Sequence, residues 1–489
     1  MRKSGILLHP TSLPGKFGIG DLGRWAYRFA DFLIESGQQL WQVLPLGPPG
    51  YGYSPYQAYS SMAGNPLLIS PQMLVDQGWL SSADLLTAPG FADSFVDFDS
   101  VILFKLNLLK KAAAAFLGRD SDPLQQQFLD FCGQNESWLN PFAEFAALKE
   151  ANANSAWTDW NQNAVVEEQS LLSHKFIQFE FFRQWKLLKE YCNAHGIEII
   201  GDISIFIAHD SADVWANPEL FDLDQKGNPR TIAGVPPDYF SETGQCWGNP
   251  LYRWKIMEQT GYRWWIERIR STLNLFDIVR LDHFRGFEKY WEIPAGSETA
   301  VGGHWVKGPG DRLFEALRDA LGNLPFIAED LGYITPEVHE LRDRWGFPGM
   351  RVLQFAFGDA SPDNPHKPYN FIRNCVAYTG THDNDTTAGW FAAAAEGPQA
   401  RAERESALSY MGGNDEDPVW NFIRLLLSST ADTAILPMQD VLSLGSESRM
   451  NLPATVAKNW RWRLREDQLM PEVGSRLREM NRLYGRLPN

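Results

Sequence analysis

The feature that most constrains the fold is a set of short apolar runs separated by longer stretches with helical periodicity. Each run is rich in Val, Ile, Leu or Phe and is closed by polar residues or proline, which is typical of repeated strand–helix units. Eight such runs occur, at 5–10, 39–46, 197–203, 276–284, 324–330, 350–357, 375–383 and 433–440. Near-continuous apolar strands indicate a parallel sheet that is buried on both faces. The pattern therefore predicts an α/β fold, a closed (β/α)8 TIM barrel.

The stretches between the runs carry apolar residues at helical spacing. In 21–37, Trp25, Phe29, Phe32 and Leu33 recur every three or four residues, and Gly37 is placed to end the helix.

The chain has 489 residues, whereas a bare barrel of this type needs about 250. We therefore expect a single catalytic barrel over 1–489 with two insertions. The first insertion, 47–196 after the second strand, contains segments with helical periodicity and should form a largely helical subdomain. The second, 204–275 after the third strand, includes 234–252, where two adjacent prolines and several glycines predict an irregular loop over the barrel mouth. Both leave the C-terminal face, where barrel enzymes build their active sites.

Acidic residues follow several of the predicted strands. They are Asp202 after the third, Asp282 after the fourth, Glu329 and Asp330 after the fifth, and Asp383 after the seventh. Strand ends on this face converge on one mouth, and several carboxylates in one cavity are costly unless they are used or paired. The structural alternative is ion pairing, with Arg280 or Arg285 neutralising Asp282, or capping of the helices that follow.

Glycoside cleavage requires two carboxyl groups with different protonation states. Arg280 precedes Asp282 by two residues and therefore shares its face of the strand, where it would keep Asp282 ionised as a nucleophile. Glu329 ends an apolar run, and such surroundings would raise its pKa toward that of a general acid.

Three histidines lie at predicted strand ends, His9, His283 and His382. In a sugar site a neutral imidazole would bond a hydroxyl group, whereas in a metal site it would be a ligand. A metal-dependent hydrolase is therefore a competing hypothesis, although no HxH or HExxH pair is present. We expect no metal and no cofactor, and His9 is equally consistent with simple packing.

The charge and the cysteines restrict partner and location. Lys and Arg number 44 against 60 Asp and Glu, a formal net charge of −16 that argues against nucleic acid and anionic membranes as partners. Four widely spaced cysteines favour reduced thiols. The amino-terminal segment lacks the apolar core of a secretion signal, and no apolar stretch is long enough to span a membrane. We expect a cytoplasmic protein.

Seven motifs, the first of them in two segments, resemble in order and spacing those of the 4-α-glucanotransferases, the amylomaltase or disproportionating-enzyme family of the α-amylase superfamily. They are GYGYSPYQ (50–57) with GNPLLIS (64–70), PPDYFSETGQCWGNPLYRW (236–254), VRLDHFRGF (279–287), IAEDLG (327–332), GMRVLQFAF (349–357), GTHDNDT (380–386) and SRMNLPAT (448–455). The resemblance covers essentially the whole chain. It implies a retaining double displacement that transfers a segment of an α-1,4-glucan to the 4-hydroxyl of an acceptor glucan or glucose.

The resemblance also implies residue roles. Asp282 would be the nucleophile that forms a covalent glucosyl-enzyme, Glu329 the acid/base and Asp383 the third carboxylate, which holds sugar hydroxyls. Residues implied to bind substrate are Ser54, Tyr56, Asp202, Gln245, Trp247, Arg280, His283, His382 and Asn451, with Tyr51 at a secondary contact. Gln245 and Trp247 would belong to a mobile loop over the acceptor side, in 234–252 with Tyr239 and Phe240. Ala454 departs from the family pattern, which leads us to expect Gly there.

The implied partners are maltooligosaccharides and α-1,4-glucans, bound by a monomer or homodimer. Two further alternatives remain at this point: an α-glucan hydrolase of the same fold, and a non-catalytic glucan-binding protein, which would have no need of Asp282 and Glu329.

Overall fold

The computed structural model describes residues 2–119, 122–161, 163–237, 241–359, 361–393, 397–413 and 416–488. Its strands are β1 (Lys3–Leu7), β2 (Leu40–Gln42), β3 (Glu198–Ser204), β4 (Thr231–Val235), β5 (Gln245–Pro250), β6 (Ile278–Asp282), β7 (Lys289–Pro294), β8 (His304–Lys307), β9 (Phe326–Ala328), β10 (Gly349–Val352), β11 (Cys375–Tyr378) and β12 (Thr433–Pro437).

The α-helices of the described residues surround these strands. They are α1 (Arg24–Glu35), α2 (Pro71–Asp76), α3 (Ser82–Leu85), α4 (Phe98–Leu117), α5 (Gln125–Gln134), α6 (Glu136–Ala151), α7 (Glu168–Ala194), α8 (Ala212–Ala216), α9 (Trp254–Gln259), α10 (Arg263–Leu275), α11 (Arg285–Glu288), α12 (Asp311–Leu321), α13 (Pro336–Arg344), α14 (Thr387–Ala392), α15 (Pro398–Tyr410), α16 (Pro418–Ser428), α17 (Met438–Val441) and α18 (Pro471–Leu483).

Eight parallel strands close into a barrel, in the order β1, β2, β3, β6, β9, β10, β11, β12 and back to β1. The closing pair runs from Lys3 opposite Thr433 to Leu7 opposite Pro437. Each barrel strand overlaps one of the eight predicted apolar runs, so the predicted TIM barrel is confirmed. The observed strands are shorter, because in several of the runs the last residues form turns; β10, for example, is followed by a 3₁₀ turn over Leu353–Ala356.

Helix α1 follows the predicted pattern. Phe29 and Leu33 are buried, and the Phe29 ring packs edge-on against Trp41 of β2 with centroids 5.0 Å apart. Trp25 is only partly buried, and Gly37 ends the helix with a φ of +71°. This geometry brings helix and barrel wall into one core.

Helices α2 to α7 lie between β2 and β3. The aromatic rings of Trp79, Phe116 and Phe176 pack on one another with centroids 4.8 to 5.2 Å apart. On α7, Trp185 is buried and its Nε1 donates to the Leu275 carbonyl at the end of α10, 2.9 Å away. Helices α2, α4, α5 and α7 therefore share one apolar core with the barrel, whereas Phe142 and Phe145 of α6 form a separate small cluster.

A second, antiparallel sheet has the order β5, β4, β7, β8. The expectation of an irregular segment over 234–252 was wrong for Gln245–Pro250, which forms the edge strand β5. A register shift between Ile232 and Gly234 accommodates the pairing. Gly234 permits a close approach of strands, because a Cβ there would lie 2.1 Å from the Gln245 carbonyl oxygen.

The four cysteines, Cys132, Cys192, Cys246 and Cys375, are free thiols, as their spacing predicts. Among the described residues, none of the helices is both long and apolar enough to cross a membrane.

Candidate active site

The ends of β3 and β6 place two aspartates around one arginine at the barrel mouth. Arg280 and Asp282 lie two residues apart on β6, so their side chains share a face. Arg280 Nη1 donates to Asp202 Oδ2 at 2.7 Å, and its Nη2 lies 3.0 Å from Asp282 Oδ1. The Tyr56 hydroxyl donates to Asp202 Oδ2 at 2.8 Å. A single buried guanidinium therefore neutralises two carboxylates, as the position of Arg280 predicts for Asp282.

Glu329 follows β9, the neighbour of β6 in the barrel. Its Oε2 accepts the backbone N–H of His283 at 2.7 Å, and its Oε1 accepts that of Leu331 at 2.8 Å. Burial raises the pKa of Glu329 to about 8, while the positive charge of Arg280 acts in the opposite direction. The direction agrees with the expectation for a general acid.

Asp383 follows β11 and is half exposed to the mouth. Asn451 Nδ2 donates to its Oδ1 at 2.6 Å, and Arg449 donates to its backbone carbonyl at 2.5 Å. Arg449 also donates to the Asn451 carbonyl at 2.7 Å. These bonds orient the carboxylate of Asp383 and the amide of Asn451 together.

An aromatic wall faces these carboxylates. The Tyr56 ring stacks on His382 with centroids 5.2 Å apart and planes 17° apart, and Trp460 packs within 6.0 Å of both rings. His382 Nε2 lies 3.4 Å from Asp383 Oδ2. Ser54 Oγ accepts the backbone N–H of Tyr56 at 3.3 Å, so its contact is to the turn that carries the ring.

Burial lowers the pKa of His283, which follows β6, to about 4. Burial also lowers the pKa of His382, which follows β11. Both imidazoles are therefore neutral at neutral pH, as a site for uncharged sugars requires. The Nε2 atom of His283 and the Nδ1 atom of His382 are buried without a protein partner among the described residues. Each nitrogen therefore has unused hydrogen-bonding capacity.

The edge strand β5 covers one side of the mouth. The Trp247 ring packs edge-on against His283, with centroids 4.8 Å apart, and its Nε1 donates to Gln245 Oε1 at 3.1 Å. Gln57 Nε2 donates to Asn249 Oδ1 at 3.1 Å and so fastens the strand to the 50–57 segment. Two residues expected in the mobile loop over the acceptor side, Tyr239 and Phe240, lie outside the described residues.

The site thus consists of carboxylates, neutral imidazoles and aromatic faces. Residues 8–469 match the family model described as 4-alpha-glucanotransferase. The chain belongs to the 4-α-glucanotransferase family.

Individual relatives agree over the full length. This 4-α-glucanotransferase is 49% identical to the 4-alpha-glucanotransferase of Synechocystis sp. over 501 residues, which cover 99% of this chain and 98% of the relative. It is also 49% identical to that of Thermus thermophilus over 503 residues, 99% of each chain. The solved amylomaltase from Streptococcus agalactiae, in complex with acarbose, matches with a TM-score of 0.95 at 39% identity and covers 100% of both chains. The family and the transferase class expected from the motifs are confirmed.

Two charged residues near the catalytic loops, Asp330 and Arg285, make contacts within the protein rather than with the proposed catalytic groups. Asp330, adjacent to Glu329, is buried and pairs with Arg342, and it accepts the backbone N–H of Met350 at 2.7 Å. An ion pair between Arg285 and Asp282 was one of the expected alternatives, and the structure does not show it. The guanidinium carbon of Arg285 instead lies 3.8 Å from the centre of the Trp305 ring. For Asp330 the ion-pairing alternative therefore holds.

His9 is a packing residue of the barrel wall. Its Nδ1 accepts the Leu44 backbone N–H at 3.2 Å, and burial lowers its pKa to about 3. Among the described residues, His, Cys, Asp and Glu side chains form no group of three or more arranged to hold a metal ion.

Sequence reasoning assigned no role to Arg449, Trp460 or Gln57 in this 4-α-glucanotransferase. Arg449 lies in the SRMNLPAT segment and Gln57 in GYGYSPYQ, so the motifs contained both residues. Their contacts with Asp383 and Asn249 depend on three-dimensional placement. Tyr51, implied to be a secondary glucan contact, is 76% exposed.

The departure at Ala454 has a structural counterpart. Ala454 has a φ of +62°, in the left-handed region that Gly adopts without a steric penalty. A residue other than Gly therefore occupies a left-handed position three residues after Asn451.

Proposed function

We propose that this 4-α-glucanotransferase acts by a retaining double displacement, with Asp282 as the nucleophile and Glu329 as the acid/base. The observation that carries the proposal is the contrast between the two carboxyl groups. Asp282 lies 3.0 Å from a buried guanidinium nitrogen of Arg280, whereas burial raises the pKa of Glu329. One group is thus suited to remain an anion and the other to deliver a proton.

In the first step Asp282 attacks C1 of the donor glucose, and the bond between C1 and the glycosidic oxygen breaks. Glu329 protonates that oxygen, so the reducing-end fragment leaves as a neutral alcohol and a glucosyl ester remains on Asp282. In the second step the ionised Glu329 takes the proton of an acceptor 4-hydroxyl group, whose oxygen displaces Asp282 from C1. Two inversions give net retention.

The donor glucose would lie against the Tyr56 ring and among Asp202, His382 and Asp383. Within the described part of the chain, Asp202 Oδ1 is buried without a hydrogen-bond partner, and we propose that it accepts a hydrogen bond from a sugar hydroxyl. Burial raises the pKa of Asp202, although Arg280 and Tyr56 both donate to its other oxygen. Asp383, oriented by Asn451, would hold a second pair of hydroxyl groups.

The acceptor is proposed to enter beside Trp247 and Gln245, with Ser54 at the rim. The substrates are proposed to be maltooligosaccharides and longer α-1,4-glucans, since neutral imidazoles and aromatic rings accompany the carboxylates in the mouth. A cytoplasmic location and a monomeric or homodimeric state stay predictions from the sequence.

Product analysis with maltotriose as the sole substrate tests the proposal. Transfer yields glucose together with a ladder of longer maltodextrins, whereas a hydrolase yields only shorter products. Asp282→Asn and Glu329→Gln should each lower the rate by at least about a thousandfold, because each removes a group that acts in the transition state. Asp319→Asn, a carboxylate change on the exposed surface of α12, is the matched control and should leave the rate unchanged. Shortening without elongation would reject the transferase mechanism.

A further inference from the structure

Four side chains form an ordered stack at the surface beside the barrel mouth. The guanidinium carbon of Arg285 lies 3.8 Å from the centre of the Trp305 ring and 5.3 Å from that of Tyr333. The two rings are nearly parallel, at 22°, with centroids 6.4 Å apart. Trp291 packs edge-on against Trp305 at 5.1 Å. We call these residues, Trp291, Trp305, Arg285 and Tyr333, the aromatic stack.

The inner members of the stack are buried or hydrogen-bonded, whereas its outermost ring faces solvent. Arg285 is buried and its Nη1 donates to the Tyr333 carbonyl at 2.9 Å. Trp291 and Trp305 lie opposite each other on β7 and β8, and Trp291 Nε1 donates to the Ala300 carbonyl at 2.9 Å. Tyr333 nonetheless remains 64% exposed. The backbone of Tyr333 is therefore anchored beside the other members of the stack, and much of its aromatic ring is open to a ligand.

The stack is attached to both catalytic loops. Arg285 follows Asp282 by three residues, and Tyr333 follows Glu329 by four, which limits the Cα of Tyr333 to about 14 Å from that of Glu329. The Phe284 N–H donates to the Glu329 carbonyl at 3.0 Å and joins the two loops. The stack lies in the loops after β6 and β9 and on the antiparallel sheet, which also carries Trp247. The residues proposed to bind the donor lie on other strands and loops. Asp202 belongs to β3, Tyr56 lies in the segment after β2, and His382 lies after β11.

The chemistry of the exposed face fits an uncharged sugar. Burial lowers the pKa of Arg285, with Glu288 and Glu337 as opposing charges, and the buried guanidinium lies over the Trp305 ring and to the side of the Tyr333 ring. The surface that remains is the outer side of the Tyr333 ring with its hydroxyl group. A flat apolar face with a polar edge is suited to the C–H face of a glucose ring and one of its hydroxyl groups.

We propose that the outer face of Tyr333, held by Arg285 and Trp305, binds an acceptor glucan at a glucose residue beyond the one that is joined to the donor. The inference rests on the proposed function, because it uses the same catalytic pair. The proposal places the Tyr333 face beyond the reach of a glucose bound at the catalytic centre. The face would therefore favour long acceptors and leave glucose unaffected.

Acceptor kinetics test this assignment. With α-maltotriosyl fluoride as donor, kcat/KM is measured for glucose and for maltopentaose as acceptors. Tyr333→Ala should lower the value for maltopentaose by about tenfold and leave that for glucose unchanged. Tyr333→Leu, which keeps an apolar side chain but no flat ring, should behave like the Ala variant. Tyr333→Trp should restore the preference for the long acceptor.

Tyr369→Ala is the matched control, since Tyr369 is also an exposed tyrosine, 58% accessible, and stacks on Tyr410 of α15. It should change neither acceptor. An equal loss of kcat/KM for both acceptors in the Tyr333 variants would indicate that Tyr333 only stabilises the two loops, and this would overturn the proposal. An unchanged kcat/KM for both acceptors would overturn it as well. If the parent protein transfers to neither acceptor, the proposed function fails at the parent, and this inference fails with it.

Discussion

At the scale of single residues, Glu329 and Asp330 illustrate how adjacent carboxylates acquire different roles. Both follow β9, and the alternation of a strand end directs them to opposite sides. Glu329 turns into the mouth beside Asp282, whereas Asp330 turns into the wall and pairs with Arg342. The sequence places both at a strand end but does not indicate the partner of Asp330, because Arg342 lies on a helix that only the fold brings close.

The raised pKa of Glu329 predicts an alkaline limit to activity. The proposed acid is protonated below its pKa of about 8 and loses its proton as the pH rises through that value. We expect kcat/KM for maltotriose as donor to fall tenfold per pH unit above the limit. A fluoride leaving group needs no proton, so the same profile measured with α-maltotriosyl fluoride should lack this limb. An alkaline limb of equal size with the fluoride would contradict the assignment of Glu329 as the acid.

The left-handed conformation of Ala454 predicts that Ala454→Gly is stabilising. The change removes the steric cost at a φ of +62° but adds freedom to the unfolded chain, so we expect a gain of up to about 1 kcal/mol in the free energy of unfolding. Denaturant unfolding measures it. Ala114→Gly in α4 is the control and should lose about 1 kcal/mol, because its backbone is helical. A loss in both variants would show that Ala454 is unstrained.

Among secondary-structure elements, the barrel strands were predictable because a strand that is buried on both faces has apolar residues at nearly every position. The antiparallel sheet was not. Its strand β5 contains Gly248 and Pro250, and its partner β4 pairs on the other side with β7, more than fifty residues along the chain. Neither periodicity nor local turn chemistry encodes such pairings, and the aromatic stack of β7 and β8 was hidden for the same reason.

Strand β3 contains a position where only glycine fits. A Cβ on Gly201, directly before Asp202, would lie 2.1 Å from the Phe276 ring. Gly201→Ala should therefore lower the free energy of unfolding by about 1 to 3 kcal/mol and displace Asp202, reducing kcat/KM for the donor. Gly133→Ala in α5 makes the same chemical change with no atom within 4 Å, and should instead stabilise by up to about 1 kcal/mol. Thermal unfolding and maltotriose kinetics distinguish the two, and wild-type behaviour of Gly201→Ala would disprove the packing argument.

For the whole molecule, the barrel is fastened at the end opposite the mouth by Arg486. This buried side chain donates to the backbone carbonyls of Lys3, Leu427, Ser429 and Ala431, at 2.8 to 3.3 Å. It thereby joins the start of β1 to the segment that leads into β12, the pair that closes the barrel.

Removal of this fastening should weaken the entire fold. Arg486→Ala leaves several buried carbonyls without a donor, and we expect the free energy of unfolding to fall by about 3 kcal/mol or more. The donor kcat/KM of the folded fraction should stay within twofold, because the mouth lies at the other end. Arg482→Ala removes an exposed arginine of α18 that pairs with Glu479, and should leave the free energy of unfolding almost unchanged. Equal effects in both variants would contradict this role of Arg486.

The single apolar core that joins α7 to the barrel wall has a consequence for how substrate enters. Phe176 and Trp185 on α7 belong to the same buried cluster as Trp41 of β2, so the helix cannot swing outward without exposing that core to water. Backbone amides of α7 should therefore exchange with deuterium as slowly as those of the barrel strands. We therefore expect a long glucan to enter past surface segments such as those around Trp247 and Asn451, above a base that stays closed.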